Sequence, residues 1–344
     1  MNLDVRIKKF LRDFTLDVAF VVEDEVFALL GASGAGKSMT LKIIAGIEHA
    51  DEGRIVLNGR TLFDSAKKIC LPSQARRVGY LFQSCALFPN MTVAENISFA
   101  ASGTNAEKER KLRENLARFK LNGLENSYPH ELSGGQAQRV ALARVLASHA
   151  QILLLDEPFS ALDSPLKWQL EFELAEVFKL YGAAILVSHD SDEVFRLADK
   201  VAVINSGKLE AVGDKHEIFA APPTVAAAHL TGSRNISAAQ KIAEDKLFAE
   251  DWQLNLTAKK IPDDLKFIGI RAGDLEFRPQ AGENIFPFTV AGVVEEPKSF
   301  VVSLRGVEGT APLLWQVDKN LWRGVIGDVL SIRLPAEKIL LLRG

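Results

Sequence analysis

Short uninterrupted apolar runs punctuate the first two-thirds of the chain: Val26-Phe27-Ala28-Leu29-Leu30, Ile152-Leu153-Leu154-Leu155 and Ala184-Ile185-Leu186-Val187. A strand covered on both faces needs no polar alternation, so each run predicts a central strand of a largely parallel sheet. Between them the apolar period lengthens to that of a helix. The clearest case has Ser164 as N-cap and Pro165 in the first helical position, carries Leu166, Leu170, Leu174, Val177 and Tyr181 on one face, and stops at Gly182. From about residue 84 to residue 149 the pattern is helical, with a charged helix from Glu107 presenting Leu112, Leu116 and Phe119, and another helix after Ser133. This stretch reads as a helical insertion in an α/β unit. Beyond Ala220 the texture changes to short strands bounded by Gly and Pro, such as Phe286-Pro287-Phe288-Thr289-Val290 and Val329 to Leu334, where Leu330, Ile332 and Leu334 alternate with polar neighbours. These last roughly 110 residues predict a small β-barrel or sandwich.

The length of 344 residues and 47% hydrophobic content suit two domains. Forty-one basic and 44 acidic side chains leave a net charge of −3, which lacks the electrostatic footprint of a nucleic-acid binder. No apolar run approaches the ~18 residues of a membrane span. The charged N-terminus, through Asp4, Arg6, Lys8, Lys9, Arg12 and Asp13, leaves no room for a secretory signal, so a cytoplasmic protein is expected. Cys70 and Cys85 are too few for a disulfide scaffold or a thiolate metal site and are expected to be free thiols.

Candidate chemistry begins where the first apolar run ends. Gly31-Ala32-Ser33-Gly34-Ala35-Gly36-Lys37-Ser38 follows a strand and opens a helix marked by Leu41, Ile44 and Ala45. That is the context a phosphate-binding P-loop requires. Its glycines let backbone N–H groups converge on phosphate oxygens, Lys37 can reach the β and γ phosphates, and the Ser38 hydroxyl can ligate Mg²⁺. The run ending at Leu155 delivers Asp156 at a strand terminus, where a carboxylate can hold Mg²⁺, and Glu157 follows as a candidate base for water. No Asn/Thr-Lys-x-Asp guanine reader accompanies them, so the triphosphate is expected to be ATP rather than GTP.

Leu132-Ser133-Gly134-Gly135-Gln136, continuing through Gln138 and Arg139, stands 20 residues before Asp156. With these residues the chain resembles the ATP-binding subunits of ABC transporters. Ser133 caps a helix and the two glycines expose its first amides, which makes a second anion cradle that one triphosphate cannot share with the first. The resemblance implies that the second cradle closes on the ATP of an opposite protomer, giving a head-to-tail homodimer with two ATP molecules sandwiched between subunits. It also implies roles for Gln83 as a sensor of Mg²⁺ and the attacking water, for Asp163 in the Ser160-Ala161-Leu162-Asp163 loop at the dimer interface, and for His189 at the γ-phosphate. Phe10 fits the expected adenine-stacking position, with Phe14 as a competitor.

The segment from Ser84 to Asn96 resembles that of prokaryotic importers, and Gly53 to Phe82 with Gln83 looks more like molybdate importer subunits than sugar or polyamine ones. Ile268-Gly269-Ile270-Arg271-Ala272-Gly273-Asp274 resembles the TOBE/MOP-like β domain of such subunits. The implied fold is a P-loop ABC ATPase with a helical insertion at about 84–149, residues 1–230, followed by a small all-β, OB-like domain, residues 231–344. The implied partners are integral membrane permease subunits and a solute-binding protein acting through them, and the implied place is the cytoplasmic face of the membrane. Met39, where Thr or Ser is common, and Ser84-Cys85 depart from the pattern without removing a catalytic group. Tungstate, sulfate, ferric iron and polyamine stay open as cargoes, as does a soluble ABC ATPase outside transport.

Overall fold

The computed structural model describes residues 1–343 except Ser102, His149, Ala161 and Asp163, and except the side chains of Ser164, Pro165 and Leu180. The chain divides into two compact units, residues 1–215 and 216–344.

The first unit is built on an 11-stranded sheet, ordered Ile69–Cys70, Arg60–Asp64, Glu52–Leu57, Leu3–Phe10, Thr15–Val22, Lys208–Asp214, Lys200–Asn205, Val26–Leu30, Ala184–Ser188, Ile152–Asp156 and Val78–Leu81. From Lys200–Asn205 to Val78–Leu81 the neighbours are parallel. Every residue of Val26–Leu30, Ile152–Asp156 and Ala184–Ser188 is buried, as their unbroken apolar sequences require. Thr15–Val22, by contrast, alternates buried and outward-facing residues and pairs antiparallel with Leu3–Phe10.

The register of the parallel strands decides what they deliver. Leu30 lies opposite Ser188, Asp156 opposite Val187, and Leu81 opposite Leu155. Gly31, His189, Glu157 and Phe82 therefore leave the sheet along one edge, the carboxyl edge where α/β sheets bind ligands.

The helix Lys37–Ala45 ends at Gly46, which adopts φ +74°. Its terminal carbonyls accept from a buried arginine: Arg76 Nη1 donates to Ile43 O at 2.7 Å and Ile44 O at 2.9 Å, and Nε to Leu71 O at 2.9 Å. A cation at this end also complements the helix dipole. The expected helical region contains Val93–Ala100, Asn105–Arg118 and Gly134–Ala147. The charged helix begins before Glu107, because Thr104 caps it and Glu107 returns a hydrogen bond in a capping box. Leu116 and Phe119 are buried as anticipated, and Leu112 partly so. Ser164–Tyr181 is helical, with Leu170, Leu174 and Val177 buried. Among the described residues no helix is long and apolar enough to cross a membrane, and Cys70 and Cys85 are free.

The second unit has two 5-stranded antiparallel sheets. One is ordered Leu254–Thr257, Lys246–Ala249, Asn235–Lys241, Phe267–Ile270, Leu340–Leu342; the other is ordered Glu276–Phe277, Val329–Arg333, Ile285–Glu295, Ser299–Arg305, Leu313–Asp318. Leu247 and Ile268 from the first and Val290, Val302, Trp315 and Ile332 from the second share one apolar core. The expected division after residue 230 thus differs from the observed one after Lys215. Residues 216–230 are held by later residues of the same unit: Arg343 N–H donates to Pro223 O at 2.9 Å, Val225 N–H donates to Arg343 O at 3.3 Å, and Arg271 donates to Phe219 O.

Candidate functional site

At the carboxyl edge of the parallel strands, Gly31–Ser38 forms the turn from strand Val26–Leu30 into helix Lys37–Ala45. A Cβ at Gly31 would meet Ile204 O at 2.4 Å, while Gly34 and Gly36 adopt φ +81° and +105°. Only glycine satisfies the first steric limit, and the other two conformations are rare for other residues. Lys37 is 4% exposed, and its ammonium donates to Gly31 O at 2.7 Å and Ala32 O at 2.8 Å. Burial lowers its pKa, with the charges of Glu157 and Asp156 acting in the opposite direction.

Two adjacent carboxylates organise the rest. Asp156 accepts from Ser38 Oγ at 2.7 Å on one oxygen and from the Tyr80 hydroxyl at 2.9 Å on the other. Glu157 accepts from Gln83 Nε2 at 3.0 Å, and its other oxygen lies 3.2 Å from His189 Nδ1. Its backbone has φ +47°, which a non-glycine residue adopts at some cost, and is held by its N–H donating to Val187 O at 3.1 Å. The structure thus brings Lys37, Ser38, Gln83, Asp156, Glu157 and His189 into one cluster, with the Gly31–Gly36 backbone beside it.

The Ser38 hydroxyl and Asp156 carboxylate form an adjacent oxygen pair suited to Mg²⁺, which keeps several waters and phosphate oxygens around one or two protein ligands. Among the described residues no group of three or more His, Cys, Asp or Glu is placed to hold a metal ion.

The second cradle closes on itself. Ser133 Oγ accepts from Gln136 N–H at 3.3 Å, and Gln136 Oε1 accepts from Ser133 N–H at 2.8 Å. Ser133 and Gly134 are exposed and Gly135 is buried. None of these hydrogen bonds reaches the carboxylate cluster. Phe10, a residue 55% exposed, ends its strand with Lys8 Nζ 5.5 Å from its ring centroid. Phe14 is partly buried, and a Cβ placed at Gly207 would lie 2.5 Å from its ring. Asp163 lies outside the described residues.

Several neighbours were given no role from the sequence. The Tyr80 phenol is pushed well above its usual pKa by burial and then by the charge of Asp156, so it stays a hydrogen-bond donor. Gln138, 1% exposed, donates to Pro158 O and lies 3.5 Å from Cys85 Sγ. Arg144 donates to Ala86 O at 2.8 Å and Cys85 O at 2.9 Å, with its guanidinium 5.4 Å from the Phe88 ring centroid. Helix Gly134–Ala147 therefore grips both the turn after Gln83 and the turn after Glu157.

The family model for ABC transporters matches residues 15–160. The sulfate/thiosulfate import ATP-binding protein CysA of Burkholderia mallei is 35% identical over 350 aligned residues, which cover 96% of this chain and 95% of that protein. The chain belongs to the ABC transporter family. The corresponding CysA of Caulobacter vibrioides is 42% identical over 223 residues, a match that spans 62% of this chain and 64% of the relative's length. Among solved structures, the ATP-binding cassette MJ0796, in a dimeric post-hydrolysis state bound to ADP and Pi, is 26% identical with a TM-score of 0.54 and covers 62% of this chain and 99% of that one. The ABC ATPase fold is therefore shared, and an all-β unit follows it.

Proposed function

We propose that this chain is the ATP-hydrolysing subunit of an ABC importer, with molybdate as its cargo. The observation that carries the enzymatic reading is the pairing of two carboxylates at the mouth of the phosphate loop: Asp156 with Ser38, and Glu157 with Gln83 and His189.

In this reading the amides of Gly31, Ala32, Ser33, Gly34, Ala35, Gly36, Lys37 and Ser38 cradle the phosphates of ATP, and the Lys37 ammonium turns from its carbonyl partners to the β and γ oxygens. Ser38 and Asp156, with Gln83 nearby, would hold Mg²⁺, which neutralises charge on the phosphoryl group. Glu157 accepts the proton of the attacking water. Gln83 and His189 fix that carboxylate, and His189 retains Nε2 for the γ-phosphate. Phe10 stacks on adenine, because Phe14 is already committed to packing on the glycine backbone.

Ser133, Gly134, Gly135 and Gln136 bind the γ-phosphate held by the opposite protomer, and Asp163 crosses that interface, so the working form is a homodimer. It sits at the cytoplasmic face of a membrane against permease subunits that receive solute from a binding protein. The first unit is the ABC domain, and the second unit is the TOBE/MOP-like domain.

Molybdate is supported by the segment Gly53 to Gln83. Sulfate or thiosulfate is a second reading, favoured by the CysA relatives, and both choices are compact oxyanions. Reconstitution with permease and binding protein tests them: ATP hydrolysis should rise with molybdate or tungstate and much less with sulfate, maltose or spermidine. Stimulation by sulfate alone transfers the cargo to the second reading, and stimulation by sugar or polyamine alone rejects both.

A further inference from the structure

The β unit carries a cavity of about 620 Å³ beside the end of strand Leu313–Asp318, within the size range of sites that enclose a small organic molecule. Its walls include Trp315, Trp322, Phe277 and Leu330. The two indole rings lie 6.0 Å apart at 72°, an edge-to-face pair. Trp315 is 6% exposed and its Nε1 already donates to Leu275 O at 2.9 Å, so it offers the cavity π surface rather than a donor. Trp322 rests against Phe300, with centroids 6.3 Å apart. Phe277 is 50% exposed and presents an apolar ring beside the cavity.

The charged groups around this aromatic surface are mainly acidic. Asp318 accepts Asn320 N–H at 2.7 Å, and Asp328 accepts Val325 N–H at 2.9 Å. These bonds orient each carboxylate, and neither acid forms an ion pair among the described residues. Glu276 also lines the cavity but is engaged by Arg278 at 3.0 Å and Arg333 at 3.4 Å. The lining base is Arg323, an exposed residue whose Nη1 donates to Trp322 O at 2.8 Å.

Ring faces are electron-rich and attract cations, and unpaired carboxylates add to that attraction while repelling anions. We propose that this cavity binds a small organic cation: a protonated or quaternary amine carrying an apolar or aromatic group. The ammonium lies over the indole faces toward Asp318 and Asp328, and the apolar part fills the space against Phe277 and Leu330. All of these residues belong to the second unit, so the site stands whether or not the chain hydrolyses ATP.

Calorimetric titration of the full chain tests this with three ligands of one shape and different charge: phenylethylammonium, 2-phenylethanol and phenylacetate. The ammonium should bind at least about tenfold more tightly than the alcohol, and the carboxylate should give no heat. Joint Asp318→Asn and Asp328→Asn changes keep the acceptor oxygens and should weaken ammonium binding about fivefold to tenfold, with an unchanged melting temperature. Trp322→Ala should weaken it more, and Arg323→Gln should strengthen it by removing a like charge. Comparable affinity for phenylacetate, ammonium binding indifferent to the Asp and Trp changes, or no ammonium binding up to about 10 mM would each overturn the assignment.

Discussion

The loop Gly31–Ser38 and the turn Ser133–Gln136 both present backbone amides where a helix begins, yet their side chains are used in opposite ways. Ser38 reaches across to Asp156 on a neighbouring strand, and Lys37 lies buried within the field of two carboxylates. Ser133 and Gln136 spend their hydrogen bonds on each other, on an exposed surface. Beside the first loop lie the Ser38–Asp156 oxygen pair and the Glu157 carboxylate with Gln83 and His189, the groups to which the proposed function gives phosphoryl transfer. Among the described residues, the second has no carboxylate or lysine as a hydrogen-bond partner. In the proposed dimer, the phosphate that reaches this turn is the one bound at Lys37 of a second copy of the chain.

The strongest break in this contrast is Glu157→Gln, which keeps shape and removes basicity. Turnover should fall about 10²- to 10⁴-fold with ATP binding retained, measured by phosphate release and nucleotide titration. Turnover near wild type would remove Glu157 as the base. Ser133→Arg should lower turnover about 10²- to 10³-fold, because a bulky side chain replaces a donor to the transferring group, and leave single-site ATP binding intact. Mixing it with Lys37→Ala chains should restore part of the activity, since one composite site then carries neither lesion. Absence of any recovery would argue that the two cradles do not meet.

Smaller effects sharpen the contrast. Phe10→Ala should weaken ATP binding about tenfold, in line with the loss of one base-stacking contact, and weaken inorganic triphosphate binding little. Equal losses for both ligands would place Phe10 outside the adenine site. Tyr80→Phe deletes the hydrogen bond to Asp156 Oδ2 and should raise the Mg²⁺ concentration needed for half-maximal hydrolysis by a few-fold to about tenfold. An unchanged Mg²⁺ requirement would make Tyr80 a packing residue.

The parallel strands were legible because burial on both faces leaves an unbroken apolar run, and Leu30, Asp156 and Ser188 mark where those runs end. The phosphate loop was legible because its glycines answer local steric demands. Tyr80 was not, since its value lies in the alignment of Val78–Leu81 with Ile152–Asp156, which chain order does not reveal. Gln138 and Arg144 sit on a helix whose first residues carry the recognisable pattern, while their own partners are backbone carbonyls after Gln83 and Glu157. Helix Val93–Ala100 is short, and its first turn is closed by a Thr92–Glu95 capping box. The unit boundary was displaced because Arg343, at the far end of the chain, pairs with the segment near Pro223. Phe10 and Phe14 differ only in tertiary burial, so the sequence left both open.

The composite site is tested most directly by the mass of the Glu157→Gln chain in solution, measured by sedimentation with Mg²⁺ and with or without ATP. ATP should convert monomer to dimer, and Ser133→Arg in the same background should abolish the conversion while nucleotide still binds. An identical mass with and without ATP, at saturating nucleotide, would contradict the pairing of one protomer's Lys37 with the other's Ser133.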